Sequence, residues 1–184
     1  LVRARSLESR GGEIWLAGGS SGVVSVTGTL DASGTAAGQS GGTVKVLGDK
    51  VGLFGAASID ASGVGAGGTV LVGGNWQGKG AEQNASATYV GKDVSISADA
   101  IDHGNGGKVV VWADDSTCFY GNISARGGAL SGDGGVVEVS GKHALDFQGL
   151  ADLRAPMGKV GNLLLDPDEI TITHDTAANT TGIS

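Results

Sequence analysis

A doubled glycine followed by alternating apolar residues recurs along the chain and limits its fold more than any other feature. The pairs begin at residues 11, 41, 67, 106 and 134, and a degenerate copy begins near residue 160. The first copy reads Gly-Gly-Glu-Ile-Trp-Leu and the second reads Gly-Gly-Thr-Val-Lys-Val. Because units of 26 to 39 residues repeat as a whole, the sequence predicts a structure built from stacked copies of one winding.

The residues after each glycine pair alternate between apolar and polar, which is the period of a β-strand. In the copy that begins at residue 41, Val44 and Val46 face one way while Lys45 faces the other. A second short apolar segment, such as residues 57–61, lies between the pairs, so each unit holds two strands or three. No window has the spacing of an amphipathic helix, and 36 glycines among 184 residues disfavour helices.

We therefore predict an all-β fold, a right-handed parallel β-helix or β-solenoid of about six coils. The glycine pairs would lie at the corner where the chain turns into the strand. The longest unit contains a loop excursion near residues 74–87, which is the best candidate for sequence-specific contacts. The alternative is an antiparallel β-sandwich or β-prism, whose hairpins of about 8–12 residues fit the repeat less well. Eight valines would form the interior core ladder: Val44, Val46, Val70, Val72, Val109, Val111, Val137 and Val139.

Charge and composition exclude several classes of function. The net charge of -7 disfavours contact with phosphate backbones, so we predict no nucleic-acid partner. The single cysteine, Cys118, excludes an internal disulfide, and its apolar neighbour Phe119 predicts a buried, inert thiol. The chain begins without Met and without the apolar region of a signal peptide. We expect a single β-helical domain over residues 1–184 that is a piece of a longer protein.

Some segments match the sequence motifs of nucleotide or metal sites but lack the structural context that such sites need. Residues 63–68 spell G-x-G-x-x-G, but a strand is predicted to follow where a dinucleotide site needs a helix. Residues 73–79 nearly spell a phosphate loop, but Gly80 stands where Ser or Thr is required. The acidic groups at 114–115 and 166–169 lack the spacing of a calcium site and favour solvated turns. We predict no cofactor and no metal site.

Asp31 and Asp60 form the sharpest enzymatic constellation, because they fall at equivalent places in adjacent coils. Enzymes that cleave polysaccharides can use paired carboxylates on a parallel β-helix as their catalytic groups. The next coils carry Ser97 and Ser124 at that place, with no Arg or His beside them, which favours a ladder of turn-forming side chains. Three histidines fall at unrelated positions: His103, His143 and His174. We predict no catalytic residues and no enzyme.

A few aromatic side chains are candidate glycan contacts, because exposed aromatic faces stack on sugar rings. Trp15 and Trp112 alternate with inward residues and are predicted to point outward. Trp76 in the loop excursion and the nearby Tyr89 are the other two candidates, as a glycan platform. The alternative is that all these rings pack on neighbouring coils.

Several segments resemble the filamentous haemagglutinin-like proteins, over roughly residues 11–172. The most specific string lies within residues 111–128. The resemblance implies a large exoprotein of the two-partner secretion type, which crosses the Gram-negative outer membrane through a barrel transporter and folds outside as a parallel β-helix. The segments that carry the resemblance are residues 67–80, 87–91, 105–115, 119–128, 135–142 and 163–167.

The resemblance implies that this chain is a structural shaft segment of a secreted bacterial surface adhesin, with a role in adhesion, aggregation or biofilm. The amino-terminal secretion domain is not recognisable in the sequence, so we expect the segment to lie beyond it. The implied partners are a host-cell or bacterial surface receptor or glycan, and the outer-membrane transporter during secretion. Open strand edges at the two ends of the rod predict end-to-end self-association. The alternatives are a β-helical polysaccharide-binding or polysaccharide-degrading protein, and a subunit of an extracellular fibre or matrix.

Overall fold

A computed structural model describes residues 12–168 in full and the backbone of residues 2–3. The regular structure there is β, apart from one 3₁₀ turn at Trp76–Gly78. In chain order the strands are β1 (Val2–Arg3), β2 (Glu13–Ala17), β3 (Val23–Val26), β4 (Thr29–Asp31), β5 (Thr43–Leu47), β6 (Lys50–Leu53), β7 (Ser58–Asp60), β8 (Thr69–Val72), β9 (Ala87–Val90), β10 (Ser95–Ser97), β11 (Lys108–Ala113), β12 (Ser116–Phe119), β13 (Asn122–Ser124), β14 (Val136–Gly141), β15 (Ala144–Phe147), β16 (Leu150–Asp152) and β17 (Asn162–Leu164).

The strands form three sheets, and every pair of neighbouring strands is parallel. The first sheet contains β2, β5, β8, β11, β14 and β17; the second contains β3, β6, β9, β12 and β15; the third contains β1, β4, β7, β10, β13 and β16. Each coil gives one strand to each sheet in turn, so the predicted parallel β-solenoid is confirmed and the antiparallel alternative is wrong. Five complete coils lie within the described residues, and the last of the six predicted repeats supplies only β17 there.

The structure places the eight valines of the predicted ladder inside the coils, where all of them are fully buried. The parallel register joins Val44, Val70, Val109 and Val137 in one row and Val46, Val72, Val111 and Val139 in the next. A row from the third sheet joins the same core: Leu30, Ile59, Ile96 and Ile123. Like side chains therefore stack on like side chains along the rod. The right-handed winding stays a prediction, supported by the strong preference of parallel crossovers for that hand.

The doubled glycines lie at the corner between the third and first sheets, where successive coils come too close for a side chain. A Cβ atom on Gly42 would overlap the carbonyl oxygen of Gly12, and one on Gly68 would overlap the carbonyl oxygen of Gly42. Gly107 and Gly135 repeat this contact with the coil before them. None of these four glycines has a positive φ. Close stacking of the corners, rather than an unusual backbone angle, therefore requires the repeated glycine.

In residues 12–168 no helix combines the length and the apolar character that a membrane crossing needs.

Candidate functional site

The predicted loop excursion joins β8 to β9 and folds back over the outer side of the first sheet. We call residues 73–86 the cover loop. Leu71, Val110 and Trp112 point away from the coil interior, yet they are buried because Trp76 of the cover loop packs against them. The loop therefore creates a second, smaller apolar cluster outside the solenoid core.

A buried carboxyl group, that of Glu138 on β14, attaches the cover loop to the fifth coil. Its Oε2 atom accepts a hydrogen bond of 2.8 Å from the backbone N–H of Gln77, and its Oε1 atom accepts one of 3.1 Å from the hydroxyl of Ser140. Burial raises the pKa of Glu138 above its ordinary value, against the lowering effect of these two hydrogen bonds. This side chain occupies an outward position in register with Val110, and the cover loop lies against it.

A polar network connects the cover loop to the second and fourth coils. The Lys108 Nζ atom donates to Asn75 Oδ1 at 3.0 Å, and Asn75 Nδ2 donates to Glu82 Oε2 at 2.8 Å. The other oxygen of Glu82 lies 3.4 Å from the Nζ atom of Lys45, which also pairs with Glu13 at 3.4 Å. The hydrogen bond from Asn75 lowers the pKa of Glu82, so this carboxylate is ionised at neutral pH.

A polar cleft of about 530 Å³ opens between the cover loop and the segment after β17. Trp112 forms part of its floor, and the indole N–H donates to Asp114 Oδ1 at 3.0 Å. The amide of Asn84 donates to the same oxygen at 3.0 Å. Amide, carboxylate and ammonium groups of this kind can hydrogen-bond to a small polar ligand. The charged or amide side chains that line the cleft are Gln77, Lys79, Asn84, Asp114, Lys142, Asp166 and Asp168.

The four candidate glycan contacts do not form one surface. Trp15 is 62% exposed and has the Lys45 Nζ atom 5.3 Å from its ring centroid. Trp112 points outward as predicted but is only 5% exposed, because the cover loop lies over it. The prediction that Trp112 offers a sugar-binding face is therefore wrong. Trp76 packs on the first sheet while Tyr89 lies on the second, so these two rings form no common platform.

A row of aromatic rings that the sequence did not predict lies on the outside of the second sheet. Phe54 stacks on Tyr89 with centroids 5.3 Å apart, and Tyr89 meets the edge of Tyr120 at 5.7 Å. The Tyr120 hydroxyl donates to Asp146 at 2.7 Å. The signal was Gly52, which pairs with Tyr89 in register and leaves the space that the Phe54 ring fills.

Cys118 lies on the outside of the second sheet and is half-buried. The apolar neighbour Phe119 predicted a buried thiol, and this prediction is wrong. Alternation along β12 places Phe119 in the core, where it stacks on Phe147 at 5.4 Å, and directs Cys118 to the other side.

Asp31 and Asp60 are paired in register, but each engages its own turn. Asp31 Oδ1 accepts from the backbone N–H and the hydroxyl of Ser33, and Asp60 Oδ1 accepts from the backbone N–H of Ser62. In the fourth coil the carboxylate of Asp99 caps the turn instead, accepting from the backbone N–H of Arg126 at 2.7 Å. The geometry is that of a ladder of turn caps, for which Asp-x-Ser is the sequence signal.

The remaining motifs are dispersed. The G-x-G-x-x-G spelling at residues 63–68 precedes strand β8 rather than a helix. His103 contacts the Ser131 hydroxyl at 3.1 Å, whereas His143 contacts Asp168 at 2.8 Å. His174 and Glu169 lie outside the described residues. In the part of the chain that the structure describes, no three His, Cys, Asp or Glu residues are grouped so that they could hold a metal ion.

The chain is similar to the HMW1 secretion domain from Haemophilus influenzae, as seen in its crystal structure. The two share 32% sequence identity and superpose with a TM-score of 0.67. The match covers 83% of this chain and 39% of that one, so this chain spans about two fifths of the solved chain. No family model matches the sequence, and no curated protein matches it. The chain is thus a parallel β-solenoid that is similar to this secretion domain in both fold and sequence.

Proposed function

We propose that this chain is a structural shaft segment of a secreted bacterial surface adhesin. The observation that carries the proposal is the stack of five coils together with its likeness to a secretion domain over 83% of the chain. The resemblance of residues 67–80, 105–115 and 119–128 to filamentous haemagglutinin-like proteins supports the same function. An extracellular location and an outer-membrane transporter as partner are parts of the proposal.

The length and the stability that each coil adds are suited to a rod that holds other parts of the protein away from the cell. Each coil adds about 4.8 Å to the rod, so the five complete coils extend it by roughly 24 Å. Each coil also buries the same rows of side chains against its neighbours, so the stability of the rod grows with the number of coils. A chain with one cysteine needs no disulfide to fold and gains its order by pairing each strand with the preceding coil.

The test of the proposal is where the chain resides and what its loss does to attachment. An epitope tag placed in the cover loop of the full-length protein should label intact cells or the culture medium. Deletion of the gene should reduce attachment or aggregation of the bacteria. Labelling only after the cells are opened, with unchanged attachment, would overturn the proposal.

A second candidate is a part of the secretion domain itself, which the name of the solved relative favours. Deletion of residues 12–168 from the full-length protein distinguishes the two. A shaft segment is dispensable for export, so the shortened protein should still reach the surface. A secretion domain is required for export, so the same deletion should retain the protein inside the cell.

The proposal includes no enzymatic activity, because Asp31 and Asp60 each serve a turn. We expect the chain to leave acidic polysaccharides intact in an activity screen. Cleavage that disappears in Asp31→Asn and Asp60→Asn would contradict this part of the proposal. End-to-end self-association stays a prediction, which sedimentation at rising protein concentration tests.

A further inference from the structure

The cover loop brings a primary amine against a carboxamide. The Lys108 Nζ atom, at the first position of β11, donates a 3.0 Å hydrogen bond to the side-chain oxygen of Asn75. The amine is therefore held against the carboxamide whose carbon it would attack. We propose that Lys108 and Asn75 join in an intramolecular isopeptide bond, which locks the cover loop to the fourth coil.

Lys108 differs from the other lysine of this network in its partners. Lys45 lies 3.4 Å from each of two carboxylates, those of Glu13 and Glu82. Lys108 has no carboxylate within 4.0 Å among the described residues, and its Nζ atom lies 5.7 Å from the centroid of the Trp76 ring. A direct ion pair would hold the amine in its charged form, which cannot attack a carbonyl carbon. Lys108 thus has the Asn75 carboxamide, rather than a carboxylate, as its direct hydrogen-bond partner.

The carboxylate that the reaction needs is that of Glu82. Its Oε2 atom accepts a 2.8 Å hydrogen bond from the Asn75 amide nitrogen, which is the leaving group. The carboxylate is largely shielded from solvent, with 18% of its side chain exposed. Once Lys108 Nζ is bonded to Asn75 Cγ it adjoins Nδ2, so a base that is hydrogen-bonded to Nδ2 can then take a proton from Nζ and pass it to the departing nitrogen. Glu82 thus has the position of the proton carrier.

The reaction forms one bond and breaks one bond. The bond between Lys108 Nζ and Asn75 Cγ forms, and the bond between Asn75 Cγ and Nδ2 breaks. The Lys108 ammonium first loses one proton to solvent, and once Nζ is bonded to Cγ a second proton passes from Nζ through Glu82 to the departing nitrogen. The ammonia that is released takes up a proton from solvent. The products are a secondary amide and ammonium, so no oxidant or other reactant is consumed.

The cover loop holds the amide still for this step. The Asn75 side-chain oxygen also accepts from the backbone N–H of Trp76 at 2.7 Å. The next backbone N–H, of Gln77, is bound by the buried carboxyl of Glu138. Fixing two reacting groups in contact replaces a bimolecular encounter with an intramolecular one, which is a large kinetic advantage.

The bond would connect residues that are 33 positions apart and would tie the loop of one coil to the strand of the next. It would strengthen the rod against unwinding at this point. The inference rests on the contacts of three side chains and not on the proposed function, so it stands or falls separately.

The test is the intact mass of the purified chain. The isopeptide bond lowers the mass by that of one ammonia molecule, and a tryptic digest should contain a branched peptide that joins Asn75 to Lys108. Incubation at a pH of about 10, near the ordinary lysine pKa, should increase the bonded fraction. An unchanged mass, both as purified and after this incubation, would overturn the proposal.

Variants locate the bond. Lys108→Arg and Asn75→Ala should restore the full mass, and Glu82→Gln should slow the loss of ammonia strongly. Lys79→Arg is the matched control, since the ammonium of this exposed lysine in the same loop donates to the Gln77 side chain, and the change should leave the reaction unchanged. Loss of ammonia that persists in Lys108→Arg would assign it to another site and sink the idea.

Discussion

Two regions of the first sheet, β2 with β5 and β8 with β11, have the same interior but different exteriors. On β2 and β5 the outward residues Trp15 and Lys45 meet water, and polar and apolar residues alternate. On β8 and β11 the outward residues Leu71 and Val110 are as deeply buried as the valines on the inner side. The cover loop lies over the second region, whereas it reaches the first only at its edge, where Glu82 pairs with Lys45 and Gln83 donates to the carbonyl oxygen of Gly19.

Polar and apolar residues alternate along a solenoid strand only where the outer face of that strand is exposed to water. An outward position becomes a core position when a loop from another coil covers it. Glu138 is the clearest example of an outward residue that a loop covers, because its carboxyl is bound by Gln77, which is 61 residues earlier in the chain. The covered region therefore depends on contacts that are distant in sequence, whereas the open region depends on its own coils.

The largest effect should come from the interior that both regions share. Val109→Asp places an unpaired charge in the valine ladder and should cost more than about 4 kcal/mol of unfolding free energy, since a buried charge loses its hydration without a partner. Denaturant unfolding followed by circular dichroism measures this. Val23→Asp, at an exposed valine of β3, is the control and should change stability little. Equal stabilities of the two variants would show that the inward assignment of Val109 is incorrect.

The next largest effect should separate the covered tryptophan from the open one. Trp112→Ala removes a buried ring and the Nε1–H bond to Asp114, so it should cost about 3–5 kcal/mol. Trp15→Ala removes a ring that is mostly in water and should change stability by no more than about 0.5 kcal/mol. Thermal or denaturant melts of the two variants measure the difference. Similar losses for both would mean that the cover loop does not shield the second region.

The solenoid itself could be predicted from the sequence, because its cause is local and repeated. Each glycine pair marks a corner where a Cβ atom would overlap the coil before it, and the alternating valines that follow can stack only in parallel register. The repeat therefore specified both the direction of the strands and their inner faces.

The covered site could not be predicted in the same way, because its partners are far apart along the chain. Alternation correctly directed Trp112 outward, but its burial depends on Trp76 of another coil. A usable signal was present, since residues 70–72 and 109–113 are apolar on both sides of the strand and residues 43–46 are not. Loss of alternation in some repeats, together with one long repeat, predicts a loop that covers those strands.

A smaller effect concerns the pH dependence of the covered carboxyl. Burial raises the pKa of Glu138 in the folded state, so its contribution to stability is fully present below its unfolded value of 4.5 and is lost as the pH rises through the folded value. Glu138→Gln, which stays neutral, should melt above the wild type at neutral pH by about 2–4 °C, roughly 1 kcal/mol for a chain of this size. The two should converge near pH 4.5.

Glu82→Gln is the comparison for this titration, because its carboxylate behaves in the opposite way. While Asn75 and Lys108 are not bonded, the hydrogen bond from Asn75 lowers the pKa of Glu82, so its contribution is present above 4.5 and is lost as the pH falls through the folded value. This variant should melt below the wild type at neutral pH and approach it in acid. Parallel melting profiles for the two variants would contradict the assignment of opposite environments.

The smallest effect should come from Lys45, at the edge of the open region. Burial lowers the pKa of its amine, but hydrogen bonds to Glu13 and Glu82 outweigh this and raise the pKa above the ordinary value of 10.5. The ion pair therefore contributes below pH 10.5 and is lost as the pH rises through the folded value. Because the pairs are partly open to water, Lys45→Met should cost less than about 1 kcal/mol at neutral pH.

The loss should shrink in high salt, as measured by denaturant melts with Lys79→Met as the control. A loss that salt does not change would mean that the Lys45 side chain acts by packing against Trp15 rather than by its charge.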